Sequence, residues 1–347
     1  MIRRLMTADY APTRLSVAPM MDWTDRHYRF MMRQITRKTL LYTEMVVDET
    51  LMHQKHNLDY FLGHDAAEYP LALQLGGNDP ETLGEVAKMA AAYGNFHEIN
   101  LNVGCPSPKV SKRCFGARLM LDPILVRDIC YEMRRQVTST PITVKCRLGV
   151  DDFDSYEYLH KFVTTVASSG VTEFTVHARK CWLDGLRLSP HENRTVPPLN
   201  YASVGRLKAD FPDLKIMLNG GVASIQHAAE LLEDSSLNVD GVMIGRAAYN
   251  TPWNFCDADR LLFGESNPGL SRRQVVANYL DYAEDMQERW GKVRSSGQYA
   301  MPTSLLLKPI LNLFNGEYGG KALKRHVAQR WAERKGEQLD HAGCDCG

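Results

Sequence analysis

Hydrophobic positions in this chain gather into short unbroken runs, separated by longer stretches with helical patterning. The short runs are "RLSVAPM" from Arg14, "LLYTEMV" from Leu40, "LALQLGG" from Leu71 and "HEINLNV" from His97. They continue with "ITVKCRLG" from Ile142, "EFTVHAR" from Glu173, "KIMLNGG" from Lys215 and "GVMIGRA" from Gly241. Continuous in apolar residues rather than strictly alternating, they predict strands buried on both faces. The stretches between them carry helix punctuation. "DPETLGEVAKMAAAYG" is expected to open on Asp79 as N-cap, with Pro80 at the first helical position. "DSYEYLHKFVTTVASSG" is expected to open on Asp154 and close at Gly170.

Eight strands, each followed by a helix or room for one, predict an α/β protein with a (β/α)8 TIM barrel of roughly 250 residues. A doubly wound open sheet shares the same βαβ units. The count of eight, and the lack of a G-x-G-x-x-G turn after the first strand, favour the barrel. After Asn250 the pattern turns to helices alone, in "SRRQVVANYLDYAEDMQERWG", "MPTSLLLKPILNLFNG" and "GGKALKRHVAQRWAERKG". The expected division is a catalytic barrel over 1–255, a small C-terminal all-helical domain over 256–340 and a disordered tail over 341–347.

Composition narrows the function classes. The 347 residues are 44% hydrophobic and 24% charged, with zero formal net charge, so a polyanionic partner must meet a local patch. One exists: from Arg289 to Lys335, ten Lys or Arg stand against two acidic residues. Such runs are usually solvated helix faces. Here Trp290, Tyr299, Phe314, Tyr318 and Trp331 are interleaved with the charge, as nucleic-acid binding would require. No apolar run approaches the roughly 20 residues of a membrane-spanning helix, and the first residues lack the apolar core of a secretory signal, so a cytoplasmic protein is expected. Eight cysteines at uneven spacing in a chain this long read as reduced thiols. Cys344 and Cys346 sit close together, but no second pair at zinc spacing accompanies them, and no metal is expected.

In barrels of this kind, function collects at the C-terminal ends of the strands. Those ends read Pro19-Met20-Met21, Glu44, Gln74, and Asn100 with Asn102. The later ones read Lys145 with Arg147, His177 with Arg179, Asn219-Gly220-Gly221, and Gly245-Arg246. A polar residue at an apolar strand end costs free energy unless it has a partner. One is explained as a turn cap; nearly all eight ends carrying one points to a site. The glycine turns after the seventh and eighth strands lie where barrels commonly bind a phosphate, and Arg246 would add charge to the same anion. Lys145 by itself admits a Schiff-base, aldolase-like reading. With Arg147, His177 and Arg179 on the same rim the site is electropositive, which suits the negative charge of a reduced flavin near N1. Gln74 and Asn102 suit hydrogen bonds to the edge of a flat polar heterocycle. In "NLNVGCPSPKV", Gly104 allows close backbone approach and Pro106 fixes the turn. A free thiol titrates near pH ~8.5, so Cys105 can donate a proton to a carbon centre at neutral pH.

Taken together, "APMMDWTD", "LALQLGGNDP", "EINLNVGCPSPKV", "FGARLM", "TVKCRLGVDD", "TVHARK", "LNGGV" and "MIGRAAY" resemble the tRNA-dihydrouridine synthases, in order from Val17 to Tyr249. "DWTDRHYR", "LLYTEMV", "HARKCWLDGL" and "SPHENRTVPPLNY" resemble the A-type subfamily in particular. The resemblance implies FMN in the barrel mouth, reduction by NADPH, hydride transfer from flavin N5 to C6 of a tRNA uracil, and protonation of C5 by Cys105. It implies that Pro19, Met20, Met21, Gln74, Lys145, His177, Asn219, Gly220, Gly221, Gly245 and Arg246 hold FMN. Asn102 would contact the target nucleotide, and Arg147 and Arg179 share that rim. His191 and Arg194, in the loop after the sixth strand, and Lys308 of the helical segment would touch tRNA, with Lys324 and Arg325 adding charge. A-type members act in the D-loop, at positions 20 and 20a. The chain departs from the subfamily pattern at Arg118, where many members carry cysteine, and at Arg113, a customary small residue; Cys114 stands beside it. Two other readings stay open from the residues themselves: a flavin barrel acting on a small pyrimidine, as dihydroorotate dehydrogenases do, and a catalytically idle RNA-binding protein.

Overall fold

The computed structural model describes residues 12–183, 188–291, 301, 303–320, 322, 324, 325 and 329. All eight expected strands are present: β1 (Leu15–Val17), β2 (Leu40–Val47), β3 (Leu71–Gly76), β4 (Glu98–Asn102), β5 (Ile142–Arg147), β6 (Glu173–His177), β7 (Lys215–Asn219) and β8 (Gly241–Ile244). Each pairs in parallel with its neighbour, and β1 pairs with β8 through Leu15–Val242 and Val17–Ile244, closing the barrel. That closure excludes the open sheet.

One expectation about the strands is corrected. β4 reads EINLN and β5 reads ITVKCR, a strict alternation, although both are buried along their length apart from half-buried Lys145. Ile99, Leu101, Val144 and Cys146 face the surrounding helices as part of the main core. Glu98, Asn100, Asn102, Thr143, Lys145 and Arg147 take the opposite face, which in a closed barrel is the lumen. A lumen filled with polar groups holds together only if they satisfy one another.

The outer layer comprises α1 (Arg26–Ile35), α2 (Asp48–His53), α3 (Leu58–Leu62), α4 (Pro80–Tyr93), α5 (Pro108–Ser111), α6 (Pro123–Gln136), α7 (Tyr156–Ala167), α8 (Tyr201–Asp210) and α9 (Ile225–Glu233). α10 (Arg246–Asn250) follows β8. Asp79 caps α4 ahead of Pro80 as the sequence predicts, its carboxylate accepting from Thr82 N at 2.8 Å. For α7 the cap is Ser155, whose hydroxyl accepts from Tyr158 N at 3.1 Å, and not Asp154. Asp154 pairs instead with Lys180, so the charge serves the barrel rim and the neighbouring hydroxyl serves the helix. Gly170, at φ +90, sits just past the end of α7 in a conformation that favours glycine.

Beyond the barrel come α11 (Ala258–Phe263), α12 (Arg272–Trp290) and α13 (Thr303–Leu307). Ser271 opens α12 with a reciprocal capping box to Gln274. α12 lies on α1: Phe30 stacks on Tyr282 at 3.9 Å between ring centroids, and His27 Nδ1 meets Tyr282 Oη at 3.0 Å. Val275, Tyr279 and Ala283 belong to the same apolar core as the barrel's outer layer. The helical segment is therefore docked through a shared core, with no packing break after residue 255. Among the described residues no helix is long and apolar enough to cross a membrane. Tyr299, Trp331, Cys344, Cys346 and the 341–347 tail lie outside the described residues, as does most of "GGKALKRHVAQRWAERKG".

Candidate active site

The C-terminal ends of β3 to β8 bring most of the expected residues to one mouth. Cys105 follows β4 and is half-buried. Its N–H and that of Gly104 both donate to Asn102 Oδ1, at 3.0 and 3.2 Å, so the side chain that ends the strand shapes the turn carrying the thiol. Gly104 O accepts from Arg147 Nε at 2.8 Å, pinning the turn from β5. The segment after α5 folds back over it, and Ala117 N donates to Cys105 O at 2.9 Å. Gly116 sits at φ +68 with no space for a Cβ, which would stand 2.6 Å from Cys105 O. Arg118 is exposed and Arg113 pairs with Glu49 at 2.8 Å, so the two subfamily departures sit on the outer side of this loop.

Positive charge surrounds the thiol. Lys145, Arg147 and Arg194 all lie within electrostatic reach of Cys105. Lys145 is pushed down to about 7, first by burial and then by the Arg147 charge, and its Nζ donates to Asn219 Oδ1 at 3.0 Å. His177 is held well below the usual imidazole range by burial and by Arg147, Lys145, Arg179 and Arg194. Burial and mutual repulsion thus disfavour the charged forms of both His177 and Lys145, which a negatively charged group placed beside them would offset. His177 Nδ1 and Arg179 Nε are also buried with no hydrogen-bond partner.

The glycine turns have the shape an anion needs. Gly220 and Gly221 adopt φ +110 and +72, conformations that L side chains rarely adopt. A Cβ on Gly245 would meet nothing closer than Ala18 at 3.7 Å and Met20 at 3.9 Å, so backbone is open to a ligand at the start of α10. Arg246 extends from the same turn, its Nη2 donating to Arg194 O at 3.2 Å. These features fit a phosphorylated, anionic, planar cofactor: a glycine cradle, a half-buried lysine, an orphaned imidazole nitrogen and an amide-lined wall.

Next to β8, Pro19, Met20 and Met21 follow β1, with Met20 beside Gly245 and Met21 exposed. Lys308 reaches this side, donating to Asp22 O and lying 5.9 Å from the Tyr249 ring. Burial raises Asp25 to about 6 and Glu44 to about 7, the latter also through the charge of Asp25. His191 is exposed, and Lys324, bonded to Asn315 at 2.7 Å, and Arg325 sit on the helical segment. These three are not part of the cavity.

Some site residues escaped sequence reasoning. Tyr201 donates to Gly220 O at 2.6 Å, and Leu199 stands against Gly220 and Gly221, so the loop after β6 braces the cradle. Asn193, fully buried, holds that loop by bonds to Trp182 N and O, while its own carbonyl accepts from Arg147 at 3.0 Å. All three lie in the "SPHENRTVPPLNY" run, which resembles the A-type subfamily but names no partner for them.

The comparisons agree with this geometry. Solved structures with the same fold include the old yellow enzyme homologue from Zymomonas mobilis (10% identical, TM-score 0.50, covering 73% of this chain and 89% of that one) and a morphinone reductase mutant in complex with tetrahydroNAD (10%, 0.52, 76% and 90%). At that identity the likeness concerns the fold alone. Curated relatives named tRNA-dihydrouridine(20/20a) synthase are far closer in sequence. The Vibrio vulnificus protein is 44% identical over 328 residues, 94% of each chain. Its Escherichia coli K12 counterpart is 44% identical over 333 residues, 95% of this chain and 90% of its own. The profile of the dihydrouridine synthase family (Dus) matches residues 16–339, nearly the whole chain. With the barrel, the cysteine turn and the cradle in place along that same span, this chain belongs to the dihydrouridine synthase family.

Proposed function

We propose that this protein reduces the C5–C6 bond of a uridine in the tRNA D-loop, at position 20 or 20a, with FMN as resident cofactor and NADPH as reductant. One observation carries the proposal: a thiol on a braced turn shares an electropositive mouth with a glycine cradle suited to a phosphate. The FMN phosphate would lie against Gly220, Gly221, Gly245 and Arg246. Gln74, Lys145, His177 and Asn219 would hold the ring system from one side, with Pro19, Met20 and Met21 from the other. When bound, FMN reduced by NADPH supplies the hydride that C6 of the uracil accepts.

The chain's own residues do the rest. Cys105 donates its proton to C5, and Asn102 keeps the thiol turn in place while contacting the nucleotide. Arg147, Arg179 and Arg194 make the mouth attractive to the phosphates flanking an extruded base. Extrusion from a folded tRNA costs roughly a few kcal/mol, which backbone contacts elsewhere must offset. His191 and Lys308 at the rim, and Lys324 and Arg325 on the helical segment, would supply those contacts, making affinity fall steeply with salt. The helical segment over 256–340 is then the tRNA-binding unit of a monomeric cytoplasmic enzyme that engages one tRNA at a time.

NADPH consumption tests this directly. Unmodified tRNA should accelerate NADPH oxidation and acquire dihydrouridine, whereas free uracil and orotate should do neither. Turnover of orotate or uracil at a rate matching tRNA would replace the proposal with a small-pyrimidine oxidoreductase.

A further inference from the structure

A file of side chains runs through the barrel lumen from its floor to Cys105, and every hydrogen bond in it points the same way. At the mouth, Gly104 N and Cys105 N donate to Asn102 Oδ1. Asn102 Nδ2 donates to Gln74 Oε1 at 2.8 Å, and Gln74 Nε2 donates to Asn100 Oδ1 at 2.9 Å. Asn100 Nδ2 donates to Thr143 Oγ1 at 2.8 Å, and the Thr143 hydroxyl donates to Glu98 Oε1 at 2.9 Å. The Tyr42 hydroxyl reaches the same oxygen. Glu98, Asn100, Gln74 and Thr143 are at most 2% exposed, so bulk solvent does not reach these partners.

The two ends dictate the polarity. A backbone N–H can only donate, and the carboxyl oxygen at the floor, already meeting two hydroxyls, is placed to accept. Between such ends each amide has one orientation that sets no donor against a donor, and a flipped amide would leave buried groups unpaired. Glu98 is suited to the accepting end. Burial raises both Glu98 and its neighbour Glu173 above the usual carboxylate range, and Glu173 also lies 3.6 Å from Lys215 Nζ; what marks Glu98 as the accepting end is geometry, since its Oε1 receives both the Thr143 and the Tyr42 hydroxyls. With Asn102 Oδ1 accepting two bonds inside the file, what that amide retains for a ligand is its second N–H hydrogen, whereas Gln74 keeps an N–H hydrogen and one lone pair on Oε1. Asn102 therefore offers a donor, which matches a carbonyl oxygen of a uracil edge and opposes a ring amine in the same place.

We infer that Glu98, on the barrel floor, is a positioning residue for Cys105, acting as the terminal acceptor that fixes the direction of the amide file holding the thiol turn. The inference rests on the uridine chemistry proposed above. Glu98→Met removes the acceptor at similar length, Thr143→Val cuts the file one step higher, and Glu98→Gln retains a carbonyl acceptor. In single-turnover reactions, the Met and Val variants should each lose about tenfold in dihydrouridine formation per folded, flavin-loaded molecule, with tRNA affinity within about twofold. Iodoacetamide alkylation of Cys105 in the free enzyme, read on its peptide by mass spectrometry, should change in both. Combining them should add no further loss, because both break one file. Glu98→Gln should recover to within about twofold of the unaltered enzyme.

The idea is overturned if Glu98→Gln is as slow as Glu98→Met, or if the losses multiply in the double variant. It is equally overturned if both single variants only lower the melting temperature while turnover per folded molecule and thiol alkylation stay unchanged. Should Glu98→Met not fold, Thr143→Val gives the same readouts. Failure of the uridine chemistry itself would look different: the unaltered enzyme would make no dihydrouridine, while the alkylation results would still report on the file.

Discussion

Lys145 is a site residue whose protonation the fold has clearly altered. Burial holds its ammonium at about 7, against the ordinary 10.5. Above pH 10.5 neither the unfolded chain nor the free folded protein carries this proton; between there and about 7 only the unfolded chain does. The group's contribution to stability is thus largest at high pH and is lost as pH falls toward 7. A bound anion reverses the balance by favouring the charged form. Anaerobic binding of reduced FMN, whose ring carries the negative charge, to the cofactor-free protein near pH 8 should take up close to one proton, measured by calorimetry in two buffers of different ionisation enthalpy. Lys145→Gln should remove that uptake, and an unaltered enzyme that binds reduced FMN without taking up a proton would show that Lys145 does not face the anion. The sequence located this lysine at a strand end and left a Schiff-base role open beside a charge on the cofactor, because one strand end does not reveal how its neighbours shift its proton.

At the scale of elements, the βαβ rhythm was fully legible: eight runs became eight strands, and Asp79-Pro80 opened its helix as expected. What the rhythm concealed was the lumen. Alternation in "EINLN" and "ITVKCR" was visible in the letters, but only closure of the barrel turns the second face of each strand inward. The Asp154 and Ser155 exchange has the same origin, since two adjacent capping residues are equivalent until Lys180 claims one of them. Contacts between distant elements were not legible at all. Asp259 of α11 accepts from Thr36 Oγ1 at 2.6 Å, Arg37 N at 2.7 Å and Lys38 N at 3.1 Å, and is 1% exposed. It closes the turn between α1 and β2 from a position more than 200 residues away in sequence. Asp259→Ala should lower the unfolding free energy in urea titration by about 3 kcal/mol, because buried donors lose their acceptor. A loss below about 1 kcal/mol would mean that water replaces the carboxylate.

For the whole molecule, zero net charge and a basic C-terminal region place the electrostatic attraction for RNA locally. Lys324→Gln combined with Arg325→Gln should weaken tRNA binding and flatten the plot of log affinity against log salt by about 1.5 in slope, with FMN content unchanged. Loss of flavin instead would place these residues in the wrong part of the molecule. The shared core between α12 and α1 ties the helical segment to the barrel, and in the function proposed above the charge on the helices and the thiol in the cavity address one substrate. That joint action has one decisive measurement: dihydrouridine formed on unmodified tRNA in a single turnover by Cys105→Ala enzyme, pre-reduced with NADPH under anaerobic conditions. Retained flavin, normal reduction by NADPH, and dihydrouridine at least about a hundredfold slower are expected of a lost proton donor. Product formed at the unaltered rate would contradict the role assigned to this thiol.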